Sequence, residues 1–99
     1  MQNDGIINSL KEMLSRSESQ DVINHCNYIV ENQETDDNKL FIAQVFYLRG
    51  NAYRQLGEWG KAMSSYLEAA ERDPEGPAKQ AYQQALQILD FYNHDLYNP

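Results

Sequence analysis

One stretch decides the fold: residues 43–74, which read AQVFYLRGNAYRQLGEWGKAMSSYLEAAERDP. Small and aromatic residues recur in it at helical spacing: Phe46, Gly50, Tyr53, Ala62, Tyr66 and Ala69. Gly57 lies between the two halves and Pro74 follows the second, and both residue types typically end a helix. Because glycine and alanine have almost no side chain, two helices can approach closely at these positions. The stretch therefore predicts a pair of antiparallel helices.

This pattern resembles the tetratricopeptide repeat, a helix–turn–helix unit of about 34 residues. The family order is aromatic, Gly, Tyr, turn Gly, Ala, aromatic, Ala and Pro, held here by Phe46, Gly50, Tyr53, Gly57, Ala62, Tyr66, Ala69 and Pro74. The resemblance implies a scaffold that binds another protein or a peptide. One departure is Arg49, where the family usually has leucine. We expect its stem to lie along apolar surface and its charge to reach water or a carboxylate.

The rest of the chain predicts further helices around this pair. Val22, Cys26 and Ile29 of the predicted second helix have the same spacing as Ala62, Tyr66 and Ala69 of the predicted fourth helix, which is the second helix of the central pair. This shared spacing indicates that the first two helices are a degenerate copy of the repeat. We predict a single helical repeat domain over 1–92, made of a degenerate hairpin (1–36), a tetratricopeptide-like repeat (37–76) and a closing helix (77–92), with a tail over 93–99. The expected fold is all-α, with about five helices as antiparallel pairs in a short right-handed superhelical stack.

Polar residues between the apolar segments predict how the helices begin and end. Ser17, with Gln20 three places on, forms a capping-box pattern for the second helix. Asp36 or Asp37 can cap the third helix through its side chain. Gly57 supplies the left-handed residue that commonly ends a helix.

The composition limits the partner and the compartment. A net charge of −7, with eight scattered Lys and Arg residues, argues against a nucleic-acid partner, since phosphate binding needs clustered basic residues. Cys26 is the single cysteine, so no internal disulfide can form, which fits a reducing compartment. The chain has no signal-peptide pattern and no apolar run near the roughly 20 residues of a membrane span. We expect a cytoplasmic protein with no membrane partner.

A polar face of the third helix is the first candidate binding surface. Tyr47, Asn51 and Arg54 fall at i, i+4 and i+7, with Gln44 and Gln55 beside them. Their phenol, amide and guanidinium groups can hydrogen-bond an extended peptide or its terminal carboxylate. The resemblance implies a concave groove here, and some relatives clamp a carboxylate with Lys, Asn and Arg from three repeats, of which Asn51 and Arg54 match. The alternative is a solvated helix face.

The fifth helix is the second candidate surface. Its apolar arc includes Tyr82, Leu86, Leu89, Phe91 and Tyr92. Either the tail folds back and covers this arc, or the arc contacts a second copy or another subunit. The second reading would make the chain a homodimer or a homo-oligomeric structural protein that pairs through its C-terminal helix.

The sequence offers no catalytic or metal-binding constellation. His25 and Cys26 are adjacent and project about 100° apart on a helix, so they cannot bind one metal together. Ser64 and Ser65 have no partner histidine nearby in sequence. We predict no cofactor and no enzyme activity. A non-enzymatic interaction module, or a small accessory subunit of a larger assembly, is favoured over an enzyme or a metal carrier.

Overall fold

Five helices make up the protein. The computed structural model describes the backbone of residues 2–97 and the side chains of residues 3–91. The helices are α1 (Gln2–Ser15), α2 (Ser19–Asn32), α3 (Lys39–Gln55), α4 (Trp59–Arg72) and α5 (Ala78–Tyr97). There is no strand within this part of the chain. The predicted all-α fold of five helices is therefore confirmed. The central helix, α3, packs against α1, α2 and α4, and α5 packs against α4.

Among the described residues α3 and α4 form the most extensive contact between two helices, and small residues allow their close approach. A Cβ added at Gly50 would overlap the ring of Tyr66, so only glycine leaves room for that ring against α3. The Tyr66 side chain is fully buried, as are Ala62 and Ala69 on the same side of α4. The absence of a side chain at Gly50 thus explains how the two helices predicted from residues 43–74 pack together around Tyr66.

The turns of the two helix pairs have the same geometry, 40 residues apart. Ser17 (φ 59°) and Gly57 (φ 75°) both adopt the left-handed conformation. The backbone N–H of Ser17 donates to Leu14 O at 3.0 Å, and that of Gly57 donates to Arg54 O at 3.0 Å. In both turns the next residue donates to a carbonyl five residues earlier, which is the Schellman arrangement. The helices that follow, α2 and α4, each have 14 residues.

The predicted caps of α2 and α3 are wrong, because neither helix has a predicted residue at its N-cap position. Glu18 is the N-cap of α2 and makes no side-chain capping bond, so Ser17 and Gln20 form no capping box. Ser19, the first residue of α2, donates its hydroxyl to Gln55 Oε1 at 2.6 Å. The predicted cap, Ser17, ends α1 in the left-handed conformation and therefore lies one residue before the N-cap of α2.

At α3 the N-cap is Asn38, not Asp36 or Asp37, and it too makes no side-chain capping bond. Its amide closes the preceding loop: Asn38 Oδ1 accepts from the Thr35 N–H at 2.8 Å, and Nδ2 donates to Gln33 O at 2.7 Å. The side chain stabilises the loop in place of the helix end.

Within the described part of the chain, Arg49 contacts aromatic rings and neutral acceptors, and not the carboxylate that was one of its two expected partners. Its guanidinium lies over the rings of Phe46 and Tyr53, at 4.8 and 5.9 Å from their centroids. It donates to Ser65 Oγ and to Asn27 Oδ1, both at 3.0 Å. The charge is thus held between α2, α3 and α4 by aromatic faces and neutral acceptors. No carboxylate pairs with it among the described residues.

The last helix is longer than predicted. α5 continues to Tyr97, five residues beyond the expected end at Tyr92, so residues 93–97 extend the helix and do not fold back over it. Three alanines, Ala78, Ala81 and Ala85, are buried in the core. The side that would face a further helix carries exposed glutamines at positions 80, 83, 84 and 87. A polar outer side is what a terminal helix of a repeat stack needs.

Candidate interaction groove

Two neighbouring depressions run along one side of α3, and the predicted binding residues line them. Gln44 and Tyr47 line the first, with residues of α1 and of the turn between α4 and α5. Asn51, Arg54 and Gln55 line the second, with the C-terminal half of α1. The structure therefore brings all five residues to one surface, which we call the α3 groove.

The first depression is mostly apolar. Its volume is about 150 Å³, and its apolar lining comes from Ile7, Ala43, Leu48, Ala69 and Ala78. Lys11 and Asp73 supply its charged groups. A cavity of this size is comparable to one that holds a benzene-sized group, so it can accept one apolar side chain.

The second depression is cationic. Lys11 and Arg54 both line it, and none of the described residues that line it is acidic. Neither cation has a carboxylate within ion-pair distance among the described residues. Arg16, Lys39, Lys61 and Arg72 are paired with glutamates, whereas Arg49 and Lys79, outside this depression, also lack a carboxylate among the described residues. The groove therefore has unpaired positive charge on a chain whose net charge is −7.

Residues of α4 hold the polar groups of the second depression in place. The Tyr66 hydroxyl donates to Asn51 Oδ1 at 2.6 Å. The Arg54 guanidinium lies over the Trp59 ring, 5.4 Å from its centroid. Burial raises the pKa of the Tyr66 hydroxyl, and the neighbouring Arg54 acts in the opposite direction. Asn51 and Arg54 are thus positioned by side chains of the adjacent helix.

Gln55 has both ends of its amide engaged by the protein. Its Nε2 donates to Leu14 O at 3.0 Å, and its Oε1 accepts from the Ser19 hydroxyl at 2.6 Å. These bonds tie the C-terminal end of α3 to the turn between α1 and α2. Gln55 therefore fixes the end of the groove.

Comparison with known proteins agrees with this architecture. Residues 43–75 match the tetratricopeptide repeat family. The solution NMR structure of protein BF1650 of Bacteroides fragilis is similar, with a TM-score of 0.78 and 33% sequence identity over 93% of this chain and 88% of that chain. The chain belongs to the tetratricopeptide repeat family. Repeats of this family are in general protein–protein interaction modules and not enzymes. No curated protein matches this tetratricopeptide repeat chain in sequence.

The sequence pattern did not indicate two residues that shape the groove of this tetratricopeptide repeat protein: Lys11 lines it, and Tyr66 bonds to Asn51 from behind it. Lys11 comes from α1, and it stands 40 positions before Asn51, at the equivalent place of the first helix pair. An alignment of the two pairs on their turns would have found it. Tyr66 was assigned to packing alone, because nothing in the pattern indicates where its hydroxyl points.

The second predicted surface of the tetratricopeptide repeat chain is split. Leu86 and Phe91 are 46% and 64% exposed, but they are five positions, and hence about 140°, apart on α5. Tyr82 and Leu89 are partly buried and lie near Leu86 on the helix surface. The side chain of Tyr92 lies outside the described residues. An apolar strip around Leu86 is therefore what remains of the predicted arc.

Two further features of the described residues bear on the expected partners of this repeat protein. Within residues 2–97 no helix combines the length and the apolar composition needed to cross a membrane. In the same part of the chain, no three His, Cys, Asp or Glu side chains come together as a metal site.

Proposed function

We propose that the chain is an interaction module that binds a carboxylate-bearing peptide segment of a partner protein in the α3 groove. The observation that carries the proposal concerns the described residues: Lys11 and Arg54 have no ion-pair partner among them, and those that line this depression include no acidic one. An anionic group bound there would form charge-assisted hydrogen bonds, which are stronger than bonds between neutral groups. A carboxylate offers acceptor oxygens to both cations and to Asn51.

The size of the groove limits the ligand to a short segment. α3 has 17 residues, so the groove is at most about 25 Å long and holds about seven residues of extended peptide. The first depression, lined by Gln44 and Tyr47, would accept an apolar side chain of the same peptide. A small accessory subunit that holds one tail or loop of a larger assembly fits these dimensions.

Three peptide libraries test the proposal. The first contains N-acetylated hexapeptides without Asp or Glu but with a free C-terminal carboxylate. The second is the same set as C-terminal amides, and the third is an amidated set with one internal Asp or Glu. We expect the protein to retain the first or the third library at least about tenfold better than the second. The comparison of the first and third libraries separates terminal from side-chain carboxylates.

Variants locate the binding surface. Asn51→Ala and Arg54→Ala should each weaken retention of the preferred library. Lys61→Ala is the matched control, because it removes one exposed positive charge from α4, away from the groove. Equal retention of all three libraries by the unmodified protein, or equal binding by Arg54→Ala and Lys61→Ala, would show that the proposal is wrong.

A homo-oligomer that pairs through α5 is the second candidate function. It is favoured by the exposure of Leu86 and by the length of α5, which has 20 residues against 14 in α4. The same strip could alternatively hold a different subunit. Light scattering over a concentration series distinguishes these cases: a dimer that Leu86→Asp dissociates supports self-association, and a monomer at millimolar concentration excludes it.

A further inference from the structure

Tyr66 of the neighbouring helix reaches the side chain of Asn51, a residue of the α3 groove, and the absence of a side chain at Gly50 makes this possible. The ring is fully buried and lies where a Cβ of residue 50 would otherwise be. Its hydroxyl then ends 2.6 Å from Asn51 Oδ1, one position along α3 from Gly50. The glycine and the aromatic residue that bring the helices together therefore also deliver one buried hydroxyl group to a groove residue.

We infer that Tyr66 is a specificity-determining residue, whose hydroxyl orients the Asn51 amide so that the second depression offers hydrogen-bond donors to its ligand. This inference rests on the proposed function of the groove and deepens it. An unconstrained Asn side chain can present either its oxygen or its NH₂ group to a ligand. Because Tyr66 donates to Oδ1, the NH₂ group of Asn51 is the end left for the ligand.

Arg54 favours this direction of the hydrogen bond over the reverse. Its guanidinium lies close enough to the Tyr66 hydroxyl to act on its ionisation, and a guanidinium has donors only. Arg54 therefore offers the hydroxyl no acceptor, and its proton is directed to Asn51 Oδ1. Lys11 also has donors only, so Lys11, Arg54 and the oriented Asn51 amide all select an acceptor such as a carboxylate.

The first helix pair needs no such hydroxyl. Cys26 stands at the place of Tyr66 and Lys11 at the place of Asn51, 40 residues earlier in the chain. An ammonium group donates in every rotamer, whereas an amide must be oriented. The hydroxyl accordingly occurs in the pair whose groove residue is an amide.

Tyr66→Phe tests the inference, since it removes the hydroxyl and keeps the ring that fills the α3–α4 contact. In the unliganded protein, the side-chain amide resonances of Asn51 should move in ¹⁵N–¹H spectra. The preference for the retained carboxylate library over the neutral amide library should narrow about fivefold. Tyr53→Phe is the control, because it removes a hydroxyl from a tyrosine outside the groove and should change neither readout. Backbone amide spectra report whether both variants keep the fold.

The outcomes separate this inference from the proposed function. If the unmodified protein prefers carboxylates and Tyr66→Phe prefers them equally, the groove binds as proposed but Tyr66 does not set its specificity. Unmoved Asn51 side-chain resonances in Tyr66→Phe would likewise overturn the inference. If the unmodified protein retains carboxylate and neutral libraries equally, both the proposed function and the inference fail.

Discussion

Arg72 of α4 holds Glu34 of the loop between α2 and α3 in a two-pronged contact. Its Nε donates to Glu34 Oε2 at 2.5 Å and its Nη2 donates to Oε1 at 3.0 Å. The same guanidinium bonds to Glu68 and lies over the Phe46 ring at 4.5 Å. One side chain thus ties the loop that joins the two helix pairs to the last turn of α4.

This contact predicts an acid-dependent stability. The Arg72 guanidinium holds the pKa of the Glu34 carboxyl below its usual range. Because the folded pKa is lowered, the contribution is present above the unfolded pKa of about 4.3 and is lost as the pH falls through the folded value. Glu34→Gln should cost about 1–2 kcal/mol of unfolding free energy at pH 7 and less at pH 2.5. Urea unfolding at both pH values measures the difference.

The control for that variant is Glu12→Gln on α1. Glu12 pairs with Arg16, but both side chains are more than half exposed, so the loss of unfolding free energy should be much smaller than that of Glu34→Gln. A Glu34→Gln effect that is equally large at both pH values would contradict an ionic origin.

The two equivalent turns predict opposite effects for one pair of substitutions. Ser17 adopts a left-handed conformation that costs a residue with a Cβ about 1 kcal/mol, whereas Gly57 adopts it without strain. Ser17→Gly should therefore raise the unfolding free energy by roughly 0.5–1 kcal/mol, and Gly57→Ala should lower it by about as much. Thermal unfolding of the two variants and their parent measures both. A stabilising Gly57→Ala would contradict the shared turn geometry.

Gly50→Ala should be strongly destabilising, although it adds only one methyl group. The added methyl group would overlap the Tyr66 ring, and overpacking a close contact typically costs about 1–3 kcal/mol. Gly60→Ala on α4 is the matched control, because a Cβ there meets nothing within 4 Å and alanine is the better helix former. Chemical denaturation should rank the three proteins with Gly60→Ala at least as stable as the parent. Equal stability of the two variants would show that the α3–α4 contact adapts.

The fold was predictable from the sequence because it depends on side-chain size at regular spacing. Gly50 and Tyr66 indicate a close helix pair in any chain with this periodicity. The caps were not predictable, because Ser17 serves as the left-handed residue that ends α1 and the Asn38 amide bonds within the preceding loop. For the groove, the sequence pattern indicated only the residues on α3. It did not indicate Lys11, because this residue of α1 reaches the groove through the packing of α1 against α3.

Cys26 should be inert in the folded protein. Its side chain is fully buried, and this burial raises the pKa of the thiol to about 12. The thiolate that reacts with alkylating reagents is therefore almost absent at pH 8. We expect iodoacetamide to label Cys26 at the rate of unfolding, and rapidly in 8 M urea. Rapid labelling of the native protein, measured by mass spectrometry, would contradict the buried position.

Lys11 provides the last test, because it distinguishes an electrostatic groove from a merely polar one. Lys11→Gln keeps much of the aliphatic stem that lines both depressions but removes one of the two unpaired charges. Binding of a retained carboxylate peptide should weaken about fivefold at low ionic strength. The loss should shrink in salt, since the screening length falls from about 10 Å at 0.1 M to about 3 Å at 1 M. Calorimetric titration at both salt concentrations, with Lys61→Gln as the control on α4, measures the effect. A loss that is independent of salt would point to packing of the Lys11 stem, and not to its charge, as the contribution of α1.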